Sequence, residues 1–192
     1  MKTLLLFFLL GAATLVRAAV SPVATALPQG SLYALDATWT NQAGKKVVWK
    51  ESTGSIRVVA LGYATCKGVC PRIIADMQRI EKELTAAELA HCRFTFVTLD
   101  PKNDGVPELK ALGERHKLDD VRWDILTGEE DALLDLAVAL GIRYDRLPNG
   151  IDFVHSYQIA VIGPDGILRH KWTESGQGAE PSIEAIRKAV AK

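Results

Sequence analysis

The sequence predicts an α/β fold: a central mixed β-sheet flanked by helices on both faces, opened by an N-terminal β-hairpin. Three observations carry this. The apolar runs "IRVVALGY" (56–63) and "RFTFVTLD" (93–100) read as buried strands, and the stretch between them repeats its apolar residues at helical spacing. That is a parallel crossover. Later, "DFVHSYQIAVIG" and "ILRHKW" flank Pro164-Asp165-Gly166, a strong turn signal for a terminal antiparallel hairpin.

The elements follow in order. "LYALDATWT" and "KVVWK" flank "NQAGK", whose Gly44 marks the turn of the first hairpin. After the strand at 56–63, a helix is expected from Pro71, because proline suits the first helical turn. Ile73, Ile74, Met77, Ile80 and Leu84 form its apolar face, and Arg72, Asp76, Arg79, Glu81 and Lys82 its polar one. "VPELKALGERHKL" is a helix entered near Asp104, read as its cap. "VRWDIL" is a short strand, and "EEDALLDLAVALG" a helix stopped at Gly141. "PSIEAIRKAVAK" is a C-terminal helix opened by proline. A hairpin, β-α-β, further α and β elements, and a closing β-β-α unit make a thioredoxin-like arrangement.

The 192 residues suit one domain, and 48% hydrophobic content supports a core. With 23 basic and 23 acidic residues and no long charge run, nothing favours nucleic acid. "MKTLLLFFLLGAATLVRAAV" has Lys2, an apolar run of about 13 residues and a small-x-small site at Val16-Arg17-Ala18. Residues 1–18 are therefore expected to be an export signal, with an uncleaved anchor as the alternative. The run is short of the roughly 20 residues that span a bilayer. Residues 19–31 read as a linker and 32–192 as the domain.

Export sharpens the question posed by "YATCKGVCPRII". There are three cysteines, Cys66, Cys70 and Cys92. A stapled scaffold would carry more, and in even number. Cys66 and Cys70 lie where a buried strand meets a helix N-terminus, which favours thiolate; Lys67 and Arg72 add positive charge. Thiolate serves both redox chemistry and metal binding. Three intervening residues, one of them Gly68, leave the sulfurs free to bond together or to open around a soft ion such as copper(I) or zinc. Two ligands rarely suffice. Of the histidines, His91, His116 and His170 lie in polar or loop contexts. His155 begins an apolar strand, on the face of Phe153, Tyr157 and Ile159. It reads either as a core histidine held by a hydrogen bond or as a third ligand beside the cysteine loop.

The ordered set "LGYATCKGVCPRIIADMQRIEKEL", "FTFVTLDPKND" and "VHSYQIAVIGPDG" resembles the Sco (SenC) family of copper-binding, thioredoxin-fold proteins of the bacterial periplasm and mitochondrial inner membrane. The likeness runs from about Leu32 to the C-terminus. It implies a copper site, Cu+ or Cu2+, on Cys66, Cys70 and His155. It further implies delivery to the copper centre of cytochrome c oxidase subunit II or another copper-site protein, alongside other copper chaperones. The alternative it implies is a thiol-disulfide oxidoreductase in which Cys66 and Cys70 are the redox pair acting on a partner's copper-site cysteines. A periplasmic monomer is expected, with anchoring to the inner membrane as the alternative location.

Lys67 stands where the family often has proline, and Val154, not an acidic residue, precedes His155. Asp100 and Asp104 are expected as turn and cap residues, Cys92 as a buried thiol, and Trp39, Trp49, Trp123 and Trp172 as packing. Met77 is the only methionine besides the initiator, which excludes a methionine-rich site. A peroxidase of the same fold would need Thr-x-x-Cys, and Thr65 directly precedes Cys66 instead.

Overall fold

The computed structural model describes residues 26–191. The expected targeting segment and the linker up to residue 25 lie outside the described residues. The first hairpin forms from β1 (Thr38–Asn41) and β2 (Lys46–Val48), turning at Gly44, whose φ of +74° suits glycine. It is shorter than its sequence suggested. Leu32–Ala34 coil into a 3-10 turn because Leu32 N–H binds the Gly166 carbonyl and the buried Tyr33 hydroxyl reaches the Ser55 carbonyl. Ser31 Oγ also donates to the Asp165 carbonyl, 2.8 Å away.

β3 (Ile56–Gly62) is buried at all seven positions and pairs in parallel with β4 (Cys92–Thr98), which pairs in parallel with β5 (Trp123–Thr127). β8 (Ile159–Ile162) runs antiparallel to β3, and β9 (Leu168–Trp172) closes the far edge. The seven-stranded order is β2-β1-β5-β4-β3-β8-β9, a mixed sheet as expected.

The register decides which face each helix covers. Val58, Phe94 and Trp123 share one face. There α1 (Cys70–Glu83) accepts the Trp123 indole N–H through Glu81, and α3 (Val106–His116) lays Gly113 on Ile125. α5 (Glu180–Val190) packs beside α1 on the same face. Arg57, Thr95 and Asp124 belong to the other face, as does Lys171, which donates to the Leu140 carbonyl at the end of α4 (Glu130–Leu140). Helices thus cover both faces. A short α2 (Ala86–Leu89), unforeseen in the sequence, carries a capping box between Thr85 and Glu88. All four tryptophans are buried, as expected of packing residues.

One expectation is corrected. Residues 152–163 do not form a single strand. β7 (Phe153–His155) pairs with β6 (Tyr144–Arg146) in a separate two-stranded sheet, and Ser156–Gln158 break the run before β8. Ser156 N–H binds the Arg143 carbonyl and the Gln158 amide binds that of Leu140, so the chain crosses between sheets there. The alternation assumed to run from Phe153 to Ile159 therefore does not carry through.

Candidate metal centre

β3 ends at Gly62, and the loop that follows delivers Cys66 and then Cys70, the first residue of α1. Pro71 occupies the first helical turn, as the sequence indicated. The helix has no side-chain cap: its N-cap residue is Val69. The backbone N–H groups of Gly68 and Cys70 favour a thiolate on Cys66 at this junction. Both cysteines are free thiols and buried, Cys70 more deeply at 1% exposure against 8% for Cys66.

His155 arrives on β7. Its Nε2 lies 3.4 Å from the Cys70 sulfur, and its Nδ1 lies 3.1 Å from the Ser156 carbonyl. A carbonyl can only accept, so the proton belongs on Nδ1 and the lone pair of Nε2 faces the sulfurs. The donor atoms of Cys66, Cys70 and His155 all lie within 4.8 Å of one another. Donors at roughly 2.0–2.3 Å from a shared ion would be separated by about 4 Å, so the trio is spaced for one soft cation. It is the sole such cluster of ligating side chains among the described residues. His91 is exposed; His116 and His170 are half-buried elsewhere, and Cys92 is a buried thiol whose ionisation desolvation opposes.

Electrostatics separate the two cysteines. The Cys70 thiol donates to Cys66, and with the two backbone amides this outweighs burial and brings the Cys66 thiol down to about 5. The same shared proton, reinforced by desolvation, pushes Cys70 far above the usual thiol range. At neutral pH the pair therefore holds one proton and one negative charge, with the charge on the shallower sulfur.

The walls of the site include residues the sequence reading did not single out. Gly62 is one: a Cβ there would stand 2.7 Å from the Cys70 sulfur and 2.5 Å from the Phe96 ring. A glycine ending an otherwise bulky buried strand is the signal of such a close approach. Tyr63 is another. Its ring packs on Phe153 and edge-on to His155, and its hydroxyl donates to Asp152 at 3.1 Å. Asp104 does not cap α3, whose N-cap is Gly105. It is buried at 1% exposure and instead holds the loop after β3, accepting from Ala64 N–H at 2.8 Å and from the Thr98 hydroxyl. Asp100, read as a turn residue, pairs with Arg146 of β6.

The family described as SCO1/SenC matches residues 28–191. A SCO1 protein homolog of Bacillus subtilis is 28% identical over 131 residues, 67% of this chain and 67% of its own length. A candidate copper-binding protein of Stutzerimonas stutzeri is 27% identical over 119 residues, 60% of this chain and 57% of its own length. Among solved structures, a SCO1/SenC family lipoprotein from Bacillus anthracis is 25% identical. It superposes with a TM-score of 0.74, covering 82% of this chain and 95% of its own.

Proposed function

Because the chain belongs to the SCO1/SenC family, we propose that it is a copper metallochaperone whose cargo is held by Cys66, Cys70 and His155. The observation that carries the reading is the convergence of two sulfurs and one imidazole lone pair, brought from separate sheets, within 4.8 Å of one another. Two thiolates and one imidazole suit copper(I). Copper(II) would use the same three donors with one more. Loading expels the proton shared by the cysteines, and a loaded pair cannot form a disulfide, so copper binding and oxidation exclude each other. Delivery proceeds by stepwise ligand exchange, starting at the shallower Cys66. The recipient is the copper centre of cytochrome c oxidase subunit II or another copper-site protein, approached in the periplasm. The family likeness and the lipoprotein relative support that setting.

The test is an anaerobic copper(I) titration of the reduced protein against a chromophoric competitor, with His155→Ala and Cys66→Ser alongside. One tight copper per chain, weakened in both variants, is expected. Weak binding, or binding indifferent to His155, overturns the three-ligand site.

The ionised Cys66 beside a protonated Cys70 also favours a second reading, reduction of a partner's disulfide. Cys66 thiolate attacks one partner sulfur and the other leaves as thiolate. Cys70 then passes its proton to the thiolate that left and attacks Cys66, and the first partner sulfur is released and takes up a proton from solvent. The partner gains two thiols and this chain holds the disulfide. That exchange forms and breaks no bond to His155 and needs no histidine.

A further inference from the structure

β6 and β7 hydrogen-bond to each other and join no ladder of the seven-stranded sheet. Cys66 and Cys70 are fixed to the main body through β3 and α1, whereas His155 rides on the appended hairpin. Its 3.4 Å approach to Cys70 is therefore set by the three-residue link to β8 and by side chains that bridge the two parts. Arg146 makes the strongest of these bridges. It stands opposite Phe153 in the register, two residues from His155 along the neighbouring strand. Its Nη2 and Nη1 lie 2.6 and 3.3 Å from the two carboxylate oxygens of Asp100, and its guanidinium carbon lies 4.3 Å over the Phe153 ring. Nη1 also donates to the Gly150 carbonyl in the hairpin's own turn.

Asp100 is bound just as firmly to the body. It follows β4, is 4% exposed, takes a hydrogen bond from Asn103, and has its own N–H on the Thr98 hydroxyl. A two-pronged guanidinium–carboxylate pair fixes orientation as well as distance, which a lysine could not do.

We infer that Arg146 is a positioning residue for His155: its pair with Asp100 holds the β6–β7 hairpin where the imidazole can join both sulfurs on one ion. This rests on the copper reading above, and it adds the element that sets the geometry of the third ligand.

The test uses the reduced full-length protein and compares wild type with Arg146→Gln, Arg146→Lys, Asp100→Asn and the double variant Asp100→Asn/Arg146→Gln. Copper(I) affinity is measured by competition, thermal melting by circular dichroism without metal, and the His155 ring nitrogens by NMR without metal. Arg146→Gln and Asp100→Asn are each expected to weaken copper binding about tenfold, the scale set by outer partners of metal ligands. Arg146→Lys should fall between them and wild type, and the double variant should be no worse than either single change. In both single variants the His155 Nε2 resonance should move toward that of a free imidazole. Wild-type affinity with an unmoved resonance in Arg146→Gln and Asp100→Asn overturns the inference. So does a loss of affinity that appears only together with collapse of the melting transition. The NMR readout needs no copper, so weak metal binding by wild type would sink the copper reading while the resonance still decides the role of Arg146.

Discussion

The sulfur of Cys70 and Nε2 of His155 lie 3.4 Å apart although 85 residues separate them in the chain. Cys70 opens α1, and no hydrogen-bonded ladder joins the strand that carries His155 to the main sheet. Beyond the short link into β8, the contact is a product of side-chain packing around Tyr63, Phe153 and Arg146, and each of these is open to mutation.

The two functional readings part at His155. His155→Ala removes one of three copper donors and none of the groups needed for disulfide exchange. Copper(I) affinity is expected to fall by more than about 100-fold, beyond the loss typical of an outer partner. The rate of reduction of a model disulfide should stay within about twofold of wild type. A parallel loss of both activities would assign the imidazole a part in the thiol chemistry as well.

Acid should silence Cys66 selectively. Its thiol ionises near pH 5 in the metal-free protein because Cys70 and two backbone amides favour the thiolate. The thiolate is the reactive form, so alkylation by iodoacetamide should rise as pH increases through about 5 and then level off. Cys70 keeps its proton across that range and should remain unmodified. Mass spectrometry of the alkylated peptides would show this. Label on Cys70 ahead of Cys66 at neutral pH would reverse the assignment.

Copper uptake should carry a proton count that reports the state of Cys66. Near pH 7 the pair holds one proton, so binding copper(I) is expected to release about one proton per ion from the two thiols. Calorimetry in buffers of different ionisation enthalpy measures it. A Cys66→Ser variant, which keeps only the protonated Cys70, should release the same single proton. A count near two in wild type, falling to one in that variant, would mean that Cys66 is an ordinary thiol.

Gly62→Ala tests the back wall. The added methyl would meet the Cys70 sulfur and the Phe96 ring well inside contact distance, and both are buried. Overpacking of this kind costs about 1–3 kcal/mol. Copper affinity should drop along with stability, because Cys70 must move away from His155. Unchanged affinity in a folded Gly62→Ala protein would show that the sulfur has room to spare.

Asp124→Ala serves as the contrasting case. Asp124 is 2% exposed and binds Arg57 at 2.9 Å and Arg93 at 2.6 Å, on the sheet face away from α1. Its removal leaves the buried Arg57 charge without its counter-ion, at a cost of about 3–5 kcal/mol in urea unfolding. Copper stoichiometry should persist in whatever fraction stays folded.

Much of this was legible in the residues. Cys66 and Cys70 lie in one short segment, and Pro71 and the helical spacing from Ile73 to Ile80 mark the start of the helix beside them. The terminal hairpin was equally plain at Pro164-Asp165-Gly166. The placement of His155 was harder. Its stretch alternates like a continuous strand, and the break at Ser156 depends on the Arg143 carbonyl, a contact no periodicity records. The three residues Tyr144-Asp145-Arg146 are too few and too polar to announce a strand. Asp104 reads locally as a cap, and only the arrival of Ala64 from 40 residues away reveals what it binds.

Where the polypeptide enters the domain has a bearing on what the donors can meet. Ser31 and Leu32 are tied to the turn between β8 and β9, at the start of β3, while the cysteine loop leaves from the finish of that strand. The two poles are separated by the length of β3, roughly 20 Å of extended chain. The entry of the chain at Ser31 and the donor sulfurs therefore sit at opposite poles of the domain, so a molecule that approaches Cys66 does not meet the entering chain.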